Sequence, residues 1–253
     1  MRHLVVILGD QLNADATAFA GFDAAQDAVW MAEVRAESTH VPSSKVRTVL
    51  FLAAMRHFRE AQRALGRVVH YRELPTRTAS DAPAIESEDT LGAALAADLN
   101  KLQPQAVVLV QPGDFRVLQQ IRAARGTTPL QVCEDLHFLC SLPDFAAWAA
   151  PRKELRMEYF YRWMRRRTGV LMEDDQPVGG EWNYDSENRA TFGKQGPGLL
   201  PAPQPFAPDD ITREVMALVE SEFPDHVGNL KHFDWPVTPE DAAVALNDFI
   251  LHR

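Results

Sequence analysis

Residues 3–12 read "HLVVILGDQL". Five apolar or β-branched positions, Leu4 to Leu8, give way abruptly to Gly9, Asp10 and Gln11. A buried strand ends in this way, with a loop beginning at the glycine. Four further runs of the same kind follow at residues 28–34, 68–74, 106–111 and 130–134. Helical patterns separate most of them, at 45–65, 91–102 and 114–124. On the longest of these, Val46, Leu50, Ala53, Ala54, Phe58 and Leu65 are expected on the buried face. Strands alternating with helices imply βαβ units. The expected fold class is therefore α/β, a five-stranded parallel, doubly wound, Rossmann-like sheet with right-handed crossovers. In such a sheet, ligands bind past the carboxyl ends of the strands.

The character changes after residue 140. Residues 143–168 read as helical and aromatic, and 173–208 are rich in Pro, Gly, Asp and Asn. So long a stretch without periodicity is a wrapped, functional linker or disorder, and Trp182 and Tyr184 argue for wrapping. Two helices follow, at about 209–223 and 238–251. Asp209 or Asp210 is the expected cap of the first, and Thr238 with Pro239 and Asp241 opens the second. The expected organisation is an α/β domain over 1–140, an aromatic helix and linker over 141–208, and the first helices of an incomplete all-helical domain over 209–253.

The chain has 253 residues, with 46% hydrophobic and 24% charged, the composition of a globular protein. No apolar run reaches a membrane span, so no membrane association is expected. The chain enters its first strand at once, without room for a signal peptide. Two cysteines, Cys133 and Cys140, suit a reducing compartment better than a disulfide framework, and a cytoplasmic location is expected. A net charge of −9 argues against a protein that merely coats nucleic acid. Residues 152–167 nonetheless carry Arg152, Lys153, Arg156, Arg162, Arg165, Arg166 and Arg167 against Glu154 and Glu158, a local basic surface.

Neither a glycine-rich dinucleotide loop nor a phosphate-binding P-loop follows the first strand. Gly9, Asp10 and Gln11 would serve equally as a plain strand-to-loop turn. The second strand ends in "EVRAES", with Glu33 and Glu37. Adjacent strands would gather Asp10, Gln11, Glu33 and Glu37 at one edge. Carboxylates and amides in that number accept from the hydroxyls of an uncharged, polyhydroxylated ligand and repel a phosphate. Elsewhere, Asp114 in "QPGDFRV" is an expected helix cap. Glu134, Asp135 and His137 have the composition of an acid/base pair, although a histidine beside an aspartate is more often structural. A serine elbow, an HExxH helix and a close Cys/His cluster are all missing, which argues against hydrolase and zinc chemistry. No catalytic or metal-ligating residue is assigned.

Seven fragments in order carry a resemblance. They are "LGDQL", "EVRAES", "AAMRHF", "QPGDFRV", "EDLHFLCS", "RMEYFYRWMRR" and "PVGGEWNYDSENR", spanning residues 8–189. Together they resemble the photolyase-related proteins of bacteria, the branch of the photolyase/cryptochrome family with iron–sulfur bacterial cryptochromes and bacterial six-four photolyases. The resemblance implies an N-terminal domain that holds an antenna pigment, 6,7-dimethyl-8-ribityllumazine, at the carboxyl edge of the sheet. Carried over, Gly9, Asp10 and Gln11 border the pigment, Glu33, Val34 and Glu37 come from the second strand and its loop, and Phe51 and Met55 cover the ring. The family's second half binds FAD, a four-cysteine 4Fe-4S cluster and damaged DNA. None of these is expected of this chain, whose two cysteines cannot supply such a cluster. Whether the chain is itself an enzyme stays open, since the resemblance covers only the antenna half. Unpartnered apolar helices are expected to drive self-association. Two other readings compete: a stand-alone module for a lumazine, flavin or nucleotide, and an interaction subunit that docks a separate helical partner.

Overall fold

The computed structural model describes residues 1–76, 89–185, 189, 191–194, 196 and 198–252. The chain falls into two compact units, 1–134 with 202–253, and 135–201.

The first unit is built on five parallel strands: β1 (His3–Val6), β2 (Ala28–Ala32), β3 (Val68–Arg72), β4 (Ala106–Val110) and β5 (Leu130–Cys133). Their order is β3-β2-β1-β4-β5. The register sets Val5 between Val29 and Val108. The expected doubly wound α/β sheet is therefore the fold observed. Its apolar runs are continuous because the central strands are covered on both faces. Alternation divides them between two cores. Val5, Ile7, Val29, Met31, Val108 and Val110 face one core, and Leu4, Val6, Trp30, Val107 and Leu109 face the other.

Helix α1 (Arg35–Thr39) follows β2, and α2 (Lys45–Ala64) leads to β3. Ser44 caps α2 by accepting from the Arg47 N–H. The buried face of α2 is carried by Val49, Leu52, Ala53, Met55 and Phe58. Leu65, expected on that face, lies beyond the last turn and is exposed. Helices α3 (Leu91–Leu102) and α4 (Phe115–Ala124) cover the opposite face of the sheet, capped by Thr90 and, as anticipated, by Asp114.

The C-terminal stretch returns to this unit. Helix α7 (Asp210–Glu222) inserts Val215 and Val219 into the core beneath α2. Lys45 with Glu220, and Arg35 with Glu222, tie it down. Asp209 accepts from the Thr212 N–H at 2.8 Å and is the α7 cap. Thr238 caps α8 (Pro239–His252) through the Asp241 N–H.

In the second unit, the helix expected over 143–168 is two helices, α5 (Leu142–Ala149) and α6 (Met157–Thr168). Pro151 follows the last turn of α5 and lacks the N–H that would continue its ladder. Leu155 lies outside α6 and is exposed. Trp148 is buried among Phe145, Phe160 and Trp163, with ring centroids 5.0–6.2 Å away. The Arg162, Arg165 and Arg166 guanidiniums lie 4.7–5.5 Å from the Trp182 ring centre. Trp182 thus holds the linker to α6, as its aromatic character predicted. A two-stranded antiparallel ribbon, β6 (Met172–Glu173) and β7 (Gln176–Pro177), supplies local order that composition did not reveal.

Candidate functional site

The strand order reverses between β1 and β4, so the loops after these strands diverge and leave a crevice. A cavity of about 350 Å³ lies there. That is at the small end of ligand pockets, roughly 300–1,000 Å³, and suits one small heterocycle with a short chain. Its walls come from Ile7–Asp10 after β1, Ala32–Val34 after β2, α1, one face of α2, and Pro112, Asp114 and Arg116 after β4.

Of the eight residues singled out in the sequence, Gly9, Asp10, Glu33, Val34, Glu37, Phe51 and Met55 line this cavity. Gln11 does not, and its Nε2 donates to the Gln111 carbonyl at 3.0 Å, joining the β1 and β4 loops. Gly9 lies in close approach to α2. A Cβ there would stand 2.9 Å from Met55 Sδ and 3.7 Å from Phe51 Cδ1. Met55 is buried, whereas Phe51 is 37% exposed and presents an open aromatic surface with Arg47 5.5 Å from its ring centre.

The two glutamates differ. Glu33 is 3% exposed and its carboxylate is saturated. Oε1 accepts from Arg56 Nε at 2.7 Å and Tyr71 O–H at 2.6 Å, and Oε2 from Arg56 Nη2 at 3.0 Å and Leu74 N–H at 2.9 Å. Burial and the Glu33 charge push the Tyr71 hydroxyl well above the usual phenol value. Burial alone would lower Arg56, but the Glu33 hydrogen bonds together with the charges of Glu33 and Glu73 outweigh it and hold the guanidinium charged. Glu37, in contrast, stands at the rim with Arg116.

Sequence reasoning missed Arg47 and Arg116, and treated Asp114 as a cap alone. Arg116 lay within the quoted "QPGDFRV", where a base two residues after a helix cap sits on the first turn beside the strand end. The hydrogen bond to Glu37 raises the Arg116 value further. Burial raises Asp114, yet the N–H and guanidinium of Arg116 leave its carboxyl below the usual range. The lining thus sets Arg47 and Arg116 against Asp10, Glu33, Glu37 and Asp114, with no cationic surplus to attract a phosphate.

The acidic group near residue 135 is a local turn in the second unit. Asp135 Oδ1 accepts from the His137 N–H at 2.9 Å and lies 3.3 Å from His137 Nδ1, whose side chain is largely exposed. Among the described residues, no cluster of three or more His, Cys, Asp or Glu has the arrangement of a metal site. No helix among them is long and apolar enough to cross a membrane.

A profile of the deoxyribodipyrimidine photo-lyase-related proteins matches residues 5–235. The chain is 42% identical over 253 residues to a (6-4) photolyase of Agrobacterium fabrum, covering 99% of this chain and 48% of that protein. It therefore spans about half the length of this relative. A shorter match, 38% identical over 40 residues, is to an uncharacterized protein of Acanthamoeba polyphaga mimivirus, covering 16% of this chain and 20% of the relative.

Proposed function

Because the chain belongs to the deoxyribodipyrimidine photo-lyase-related family, we propose that its α/β unit is an antenna module whose cavity takes 6,7-dimethyl-8-ribityllumazine. One observation carries this reading. A cavity of about 350 Å³ at the switch point combines an aromatic wall with carboxylate acceptors and lacks a phosphate-binding loop. Phe51 and Met55 supply flat, polarisable contact for a bicyclic ring. Gly9 leaves room for Met55 to approach the β1 loop. Glu37 and Asp10 line the polar side, where ribityl hydroxyls and ring N–H groups find acceptors. Glu33, saturated by its own partners, acts by fixing the wall rather than by touching the ligand. When bound, the pigment would absorb near-ultraviolet to blue light and pass that energy onward.

Light-driven repair of DNA photoproducts, or blue-light sensing, is proposed only for a longer protein of which such a module is part. FAD, a 4Fe-4S cluster and damaged DNA belong to that proposal. Cys133 and Cys140 cannot make a four-cysteine cluster, so no step through one is assigned to these residues. A cytoplasmic location and self-association through exposed apolar helices complete the proposal.

The test is an absorption and fluorescence spectrum of the purified chain before and after adding ribityllumazine. Saturable binding that is lost on Glu37→Ala is the expected result. A colourless protein that binds neither lumazine nor flavin would overturn the antenna reading and leave family membership standing.

A further inference from the structure

Glu37 lies on α1, a helix of five residues whose N-cap, Val34, offers no side-chain hydrogen bond. So short a helix has no stability of its own, and its side chains stay in place only through tertiary contacts. Glu37 has one of high geometric quality. Arg116 Nη1 donates to Oε1 at 2.8 Å and Nη2 donates to Oε2 at 2.9 Å, a parallel fork. Arg116 is itself fixed. Its Nη2 reaches Asp114 Oδ2 at 3.0 Å, and its backbone N–H donates to Asp114 Oδ1 at 2.7 Å. His40 Nε2 lies 3.4 Å from the same Nη2. The arrangement thus runs from the α4 cap, through a guanidinium, to a carboxylate on α1, across the point where the strand order reverses.

Both pair members are about one-third exposed, at 34% each. Ion pairs at that exposure add little to stability. Each Glu37 oxygen accepts one hydrogen bond from Arg116 and retains a second acceptor position. The value of the pair is therefore geometric.

We propose that Arg116 is a positioning residue, which orients the Glu37 carboxylate on the cavity rim so that its remaining lone pairs meet the hydroxyl or N–H donors of a neutral ligand. This rests on the antenna reading of the cavity. It assigns Arg116 no contact with the ligand, and its whole effect passes through Glu37.

The experiment is a fluorescence titration of 6,7-dimethyl-8-ribityllumazine into wild type, Arg116→Gln, Arg116→Lys, Glu37→Gln and the double variant, each with a thermal melt. Arg116→Gln is expected to bind about tenfold more weakly, with almost unchanged melting. Arg116→Lys recovers part of the loss, because a point charge replaces the fork. The double variant binds no more weakly than Glu37→Gln alone, the signature of two residues acting as one. Additive losses, or wild-type affinity in Arg116→Gln while Glu37→Gln binds weakly, overturn the positioning role and leave the cavity reading intact. A wild type that takes up neither lumazine nor flavin overturns the cavity reading and the proposal with it.

Discussion

Arg56 grips Glu33 with two hydrogen bonds, Nε to Oε1 at 2.7 Å and Nη2 to Oε2 at 3.0 Å, inside the wall between α2 and β2. Both residues are nearly inaccessible, at 6% and 3%. Tyr71 and the Leu74 N–H complete the carboxylate's partners, so the charges are fully compensated. Removing one partner strands the other, at a cost of about 3–5 kcal/mol. Glu33→Ala and Arg56→Ala are each expected to lose that much in chemical denaturation, while the rim variant Glu37→Ala loses less than about 1 kcal/mol. Equal stabilities for Glu33→Ala and Glu37→Ala would contradict this division between wall and rim.

Gly9 tests the cavity in a different way. Its backbone is not in the left-handed region, so alanine adds bulk without backbone strain. The added carbon would meet Met55 Sδ at 2.9 Å. Met55 is flexible and can withdraw, but only by moving into or away from the cavity. Gly9→Ala is expected to cost about 1 kcal/mol or less in stability and to weaken lumazine binding severalfold. A Gly9→Ala protein with wild-type affinity would remove Met55 from the ring-binding wall.

Asp27 predicts how the fold responds to acid. Arg2 hydrogen-bonds its carboxylate, the Asp23 and His3 N–H groups add two more, and together they outweigh burial and bring the carboxyl from 3.8 to about 2. The folded value is depressed, so its stabilisation is complete above the unfolded value and disappears as pH falls toward 2. At 1.36 kcal/mol per unit this amounts to roughly 2 kcal/mol. Denaturation at about pH 5 and pH 2.5 should show wild type losing more stability than Asp27→Asn between the two. Parallel losses in both proteins would show that Asp27 titrates normally.

The sheet was legible because buried parallel strands are apolar along their whole length, and residues 3–8 and 106–111 have little else. The caps at Asp114, Asp209 and Thr238 were legible because a polar side chain before an apolar period has one structural use. The buried face of α2 was only half visible. Met55 and Val49 belong to it, whereas Leu65, equally apolar, falls past the helix end. Gly9, Asp10, Glu33 and Glu37 could be placed because they follow on strand ends, whereas Val34, Phe51 and Met55 were reached only through the family resemblance. Arg116 could not be placed, since its role depends on a partner 79 residues away in sequence. Glu33 shows the converse limit. A glutamate at a strand end reads as a ligand acceptor until Arg56, Tyr71 and Leu74 are seen to occupy it.

Helix α8 leads to the last prediction. Leu246, Phe249 and Ile250 recur at helical spacing and are 58%, 58% and 66% exposed. Asp241, Ala245 and Asp248 are the less exposed positions, so the most apolar side of this helix is turned outward. Leu251 adds a further exposed side chain at 75%. Single exposed apolar residues are ordinary, but a contiguous stripe seeks cover. The purified chain is expected to self-associate as its concentration rises, and Phe249→Lys with Ile250→Lys should shift it toward monomer. Light scattering across a concentration series measures both. A monodisperse monomer at the highest concentration would show that this stripe is tolerated by solvent, and the double lysine variant would then leave the scattering mass unchanged.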